Sequence, residues 1–140
     1  MIARPTISLA LLALLLGPTA ADEPKAFACS FTAGVTHAYD KGQFTAEKAS
    51  PLDFGIAGID HGAQTADLRM AGGTGALRVV QAVNATHFLE VATEGFLNIT
   101  TIYDKDEAKG GAYPAVHSRH FAIVGQPIVT QYQGFCEATG

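Results

Sequence analysis

The sequence predicts an all-β domain, a single small antiparallel barrel or sandwich of about eight strands. Three observations carry that reading. Short runs rich in Val, Ile, Phe, Thr and Tyr alternate in polarity and are broken by Gly and Asp at intervals of about ten residues. No window holds the sustained apolar stripe of an amphipathic helix. Two cysteines, Cys29 and Cys136, stand near the two ends of the foldable region, so a bridge between them would seat the first strand beside the last.

Taken in order, the chain opens on a segment that is not part of this fold. Arg4 gives a positive start, Ile7 to Leu16 form an apolar run, and Gly17-Pro18-Thr19-Ala20-Ala21 supplies small residues, the layout of a secretory signal peptide over residues 1–21 cleaved after Ala20 or Ala21. The run falls well short of the ~20 residues that span a bilayer, so no stable membrane insertion is expected after cleavage. Residues 22–140 then make a single β domain, placed in the periplasm or outside the cell.

Phe27–Thr32 alternates Phe27, Cys29 and Phe31 on one face, and Gly42–Glu47 is a second short strand. Leu52, Phe54 and Ile56 alternate before a turn at Asp60-His61-Gly62. Thr65–Met70 follows, then a loop over Ala71–Gly75. Leu77, Val79 and Val83 share the face of the next strand, with Gln81 interrupting the apolar set. Residues 87–104 read as a hairpin turning at Thr93-Glu94-Gly95. Asp104–Gly111 is a charged, Gly-rich exposed loop. Tyr113–Val124 and Ile128–Cys136 are the last strands, separated by Gly125-Gln126-Pro127.

Composition narrows the function. The formal net charge is −4 and the basic residues are scattered, which is not the positive footprint of a nucleic-acid or anionic-membrane binder. In an exported chain a pair of distant cysteines reads as a structural disulfide, and their spacing excludes a Cys-x-x-Cys redox or zinc motif.

Three stretches, "FLEVATEGFLNITTIYD", "AVHSRH" and "QYQGFC", resemble a pattern in small exported bacterial β proteins of uncharacterised function. There a Phe-Ile-Glu strand, a Thr-Thr-Ile strand, a Val-His-Ser-Arg-His segment and a Gln-Tyr-x-Gly-x-Cys end recur in order. The resemblance spans Thr65 to Cys136. It implies a shared fold and export, and no activity. In architecture alone the chain also resembles small disulfide-closed barrels that inhibit lysozyme, although their motif is not evident here.

The chemistry-bearing stretch is Val116-His117-Ser118-Arg119-His120. As a strand it puts His117 and Arg119 on one face with Ala115, and Val116, Ser118 and His120 on the other. Its two histidines therefore do not converge on one metal, and no Gly-x-Ser-x-Gly elbow exposes a serine. Arg119 is expected to pair with Glu90, a carboxylate set mid-strand among apolar neighbours. His120 is expected to pack inward, and His117 to tolerate truncation to Ala. Tyr113, Phe121, Tyr132 and Phe135 read as core packing, or as one lined end of a barrel. The sequons at Asn84 and Asn98 read as ordinary polar positions.

These readings converge on a non-catalytic envelope protein that binds a protein or a small ligand without a cofactor, through Arg119, His117, Glu90 and Tyr132. The alternatives are a His-dependent metal binder drawing on His37, His61, His87, Asp60 or Glu90, and a small hydrolase built on Ser118 or on Glu90 and Glu94.

Overall fold

The computed structural model describes residues 23–91, 95–123 and 125–140. The segment read as a signal peptide and the first two residues of the Thr93-Glu94-Gly95 turn lie outside them. The described residues form β1 (Phe27–Asp40), β2 (Gln43–Lys48), β3 (Leu52–Asp60), β4 (Thr65–Met70), β5 (Gly73–Gln81), β6 (Ala85–Val91), β7 (Leu97–Tyr103), β8 (Tyr113–Ile123) and β9 (Gln126–Ala138), with a turn of 3-10 helix at Glu107–Lys109.

All strand pairings are antiparallel. The order β1-β3-β4-β5-β6-β7-β8-β9 closes on itself through β9 and β1, which settles the barrel against the sandwich. Cys29 stands opposite Cys136 across that seam, and the two form a disulfide as expected. β2 is an extra strand riding on the far half of β1, from Val35↔Lys48 to Asp40↔Gln43. Lys41 and Gly42 join the two with φ of 49° and 87°, the positive pair that a two-residue hairpin with the right twist demands.

The inward residues are those the alternation selects: Phe27, Cys29 and Phe31, then Phe54 and Ile56, Ala66 and Leu68, Leu77 and Val79, Phe88, Ile102, Ala115, Tyr132 and Cys136. Eight strands leave an interior that side chains can fill, and here aromatics fill its centre. Phe31 stacks on Phe54 with centroids 5.4 Å apart, and Phe27 meets Tyr113 edge-on at 5.0 Å.

Several boundaries differ from the sequence expectation for physical reasons. β1 runs on to Asp40 because a register shift between Ser30 and Ala33 lets it change phase and keep pairing with β9. Gly73-Thr74-Gly75 belongs to β5 rather than to a loop, since backbone pairing with β4 needs no side chain. Val83 is 97% exposed beyond the end of β5 and not on its buried face. The apolar set Leu97, Ile99 and Tyr103 faces outward on β7, while Asn98, Thr100 and Ile102 point in.

Two glycines mark close approaches. A Cβ on Gly134 would collide with the backbone of Ser30 and Phe31 at the β1 bulge, and one on Gly34 would lie 2.6 Å from the Tyr132 ring.

Candidate functional site

Strand register builds two belts of side chains across the barrel interior. One runs Phe88↔Thr100↔His117↔Tyr132↔Gly34 and the next Glu90↔Asn98↔Arg119↔Thr130↔Thr36. All four residues singled out in the sequence thus face the interior, His117 and Tyr132 on one belt and Glu90 and Arg119 on the next, and none of them lines either hollow described below.

His117 is a core residue, 7% exposed, ringed by Phe31, Phe54 and Tyr132 at centroid distances of 5.8, 5.1 and 5.9 Å. Its Nδ1 shares a hydrogen bond with Thr100 Oγ1 at 2.8 Å. Burial, and then the Arg119 guanidinium, push its pKa down to about 4, so the ring is neutral at pH 7. This corrects the expectation that His117 is dispensable. His120 takes the opposite face and is exposed, which corrects its expected inward packing.

Glu90 does not pair with Arg119. β7 lies between them, separating their backbones by roughly 10 Å, and Asn98 on that strand takes the carboxylate instead, its Nδ2 donating to Glu90 Oε2 at 2.7 Å. Gly75 makes room for this arrangement, since a Cβ there would sit 2.6 Å from Glu90 Oε1. Arg119 is half-buried and forms no ion pair among the described residues. The aromatics also part company: Tyr132 is core, Phe135 is 40% exposed on the outer wall, Phe121 packs on Phe96, and Tyr113 alone lines the mouth described next.

The other end of the barrel holds a cavity of about 190 Å³. Its floor is apolar, made by Phe27, Phe88, Ile102 and Tyr113, and its rim carries Glu23, His61, Gln81 and Asp104. A bulge in β3 creates this mouth. Gly58, at φ 60°, shifts the register between Ala57 and Asp60, turning Ile59 inward to 4% exposure and carrying His61 over the opening. Asp60 Oδ1 accepts from the Ala63 N–H at 2.8 Å and fixes the turn that bears His61.

The segment before β1 closes the rim as a strap. Ile59 N–H donates to the Lys25 carbonyl at 3.1 Å, and Thr139 N–H to the Ala26 carbonyl at 3.0 Å. Glu23 is thereby held between two partners, with Oε2 3.2 Å from His61 Nε2 and Oε1 accepting from Gln81 Nε2 at 3.1 Å. His61 is 18% exposed, and its Nδ1 is buried with no hydrogen-bond partner.

Sequence reasoning passed over this site because its parts are scattered. Gln81 registered only as a break in an apolar face, and His61 only as a turn residue and one of several candidate metal ligands. The available signal was Gly58 two residues before the Asp60 turn, a bulge marker within a strand.

A second, open hollow of about 540 Å³ lies on the outer wall, lined by Ala28, Ser30, Asp53, Gly55 and Arg69 among others. Arg69 is engaged there by Asp67 at 3.2 Å. Among the described residues no group of three or more His, Cys, Asp or Glu could hold a metal ion.

Comparison with family models, with curated proteins and with solved structures finds no match for this chain.

Proposed function

We propose that this protein is an exported, non-catalytic binding barrel that takes a small ligand into the mouth beneath the Glu23 strap. One observation supports this above the others: an apolar-floored cavity of about 190 Å³ opens beneath the strap, with Glu23, His61, Gln81 and Asp104 in its lining. Deeper in the barrel Phe31, Phe54, His117 and Tyr132 pack ring against ring, so the mouth offers a ligand room without displacing them. The cavity lies below the ~300–1,000 Å³ of sites for drug-sized molecules and suits a fragment-sized one.

The non-catalytic part of the reading is supported by Glu23, whose two carboxylate oxygens are taken up by His61 and Gln81 in holding the strap. Export is supported by the leader-like residues 1–21 and by a disulfide that a reducing compartment would not keep.

The test is a fragment screen on the protein purified in oxidised form, read by amide chemical-shift perturbation. Ligands should move the resonances of Ile59, His61, Ile102 and Tyr113 together in a saturable way. Hits that perturb only the outer-wall hollow near Asp53 and Arg69, with the mouth silent, would sink the proposal.

A further inference from the structure

We infer that the protein forms a two-fold dimer through the free edge of β2, with Gln43–Lys48 of a second copy pairing antiparallel to the first. The inference is independent of the mouth. The mouth is lined by Phe27 at the start of β1, whereas β2 rides on Val35–Asp40, so the pairing leaves the opening clear.

Closure through β9 and β1 gives every barrel strand a neighbour on both sides, whereas β2 pairs with β1 alone. Its outer edge stands clear of β4, whose pairing with β3 comes no nearer than Gly55↔Arg69. Every residue of β2 is exposed and none is Pro or Gly, so nothing interrupts the row of donors and acceptors along that edge.

The register states which backbone groups the row contains. Ala49 N–H donates to the Gly34 carbonyl at 2.9 Å at one end of the β1–β2 ladder, and Asp40 faces Gln43 across the two-residue turn at the other. Bonded and non-bonded pairs alternate along an antiparallel ladder, so Gln43, Thr45 and Glu47 direct their N–H and C=O at β1. Phe44, Ala46 and Lys48 direct theirs outward.

An antiparallel copy meets these groups only where outward residues face outward residues. A two-fold axis through Ala46 engages all of them, setting Phe44 opposite Lys48 of the second copy and Ala46 opposite itself. The side chains match in the same register. Each Lys48 ammonium reaches the Phe44 ring of the other copy, which is 65% exposed, and Glu47 comes opposite a Thr45 hydroxyl on the other face. Tyr39, packed against Phe44 with centroids 4.9 Å apart, backs that ring. The small Ala46 side chain falls on the axis, where two copies of one residue must fit. An axis at Glu47 would set carboxylate against carboxylate, and one at Thr45 would leave Lys48 opposite the turn residue Gly42. Each copy carries one such edge, so the assembly closes at the dimer.

The experiment is sedimentation velocity on the purified oxidised protein from micromolar to millimolar concentration. A reversible monomer–dimer equilibrium is expected, with no larger species. Ala46→Pro removes an outward N–H and no bond to β1, so it should abolish the dimer while near-UV circular dichroism stays native. Ala46→Lys keeps that N–H but brings two ammonium groups together on the axis, and should weaken dimerisation roughly tenfold or more. Ala46→Cys should cross-link to its own copy on oxidation, since a bonded pair of this kind sets Cα atoms about 5.5 Å apart, whereas Phe44→Cys should not. A monomer at every concentration, a dimer that survives either Ala46→Pro or Ala46→Lys, or cross-linking at Phe44→Cys in place of Ala46→Cys overturns the inference.

Discussion

At the scale of single residues, the protein's response to acid is set by His117, whose ring sits among Phe31, Phe54 and Tyr132 with a pKa held near 4. Above pH 6.5 the ring is neutral folded and unfolded, and contributes no pH dependence. Between pH 6.5 and about 4 the unfolded chain binds a proton that the folded one refuses, so stability falls as pH falls through that window. A depression from 6.5 to about 4 corresponds to roughly 3 kcal/mol, and below pH 4 the contribution levels off. Urea midpoints measured from pH 7 to pH 4 should show this slope, and His117→Leu should flatten it. His117→Ala should cost about 2–4 kcal/mol through the cavity left among the three rings. Gly75 gives a second residue-scale outcome. Gly75→Ala should cost about 1 kcal/mol or less, because the new Cβ meets the flexible end of the Glu90 side chain, which must swing aside. The same substitution in a Glu90→Ala background should cost much less, and a double-mutant cycle measures the difference.

At the scale of elements, turns and bulges decide which residues meet. Gly95 lies at φ 81° just before β7. Gly95→Val should destabilise by about 1–3 kcal/mol through backbone strain alone, and Gly95→Asn by clearly less, as thermal melts of the pair would show. The sequence made the strands legible for the reason it usually does: period-two alternation follows from one wet and one dry face, and Thr65–Met70 matches to the residue. It left the interior belts illegible. Glu90, Asn98 and Arg119 occupy successive strands in register, and which residues stand side by side depends on bulges at Ser30 and Gly58 that shift phase by one residue. Alternation separated His117 and Arg119 from His120, yet could not say which side was inside. On β7 the more apolar face is the outer one, because the interior there takes Asn98 and Thr100, each bonded to a neighbour. The mouth was least legible of all, since Glu23, His61, Gln81 and Asp104 come from four separate segments that only barrel closure gathers.

At the scale of the whole molecule, the Cys29–Cys136 bridge ties residues 107 apart in sequence. In the chain-entropy model such a loop stabilises by ~4–5 kcal/mol, a large part of what a domain of this size has in reserve. Denaturation of the oxidised and the reduced, alkylated protein should differ by about that amount, and intact mass should reveal two blockable thiols only after reduction. The proposed export makes its own prediction: protein recovered from the cell envelope should begin at Ala21 or Asp22 when its N-terminus is sequenced. The same seam bears on how the chain comes into being. β1 takes β3 on one edge and β9 on the other, so its second edge waits for the last strand to be made. Until Gln126–Ala138 is available, the growing polypeptide is an open sheet with two unpaired margins at β1 and β8, each a template for the wrong neighbour. The final strand is therefore the keystone of the arch. A message cut short by a premature stop within it yields no slightly smaller barrel, only a sheet that never closes and passes to the cell's quality control.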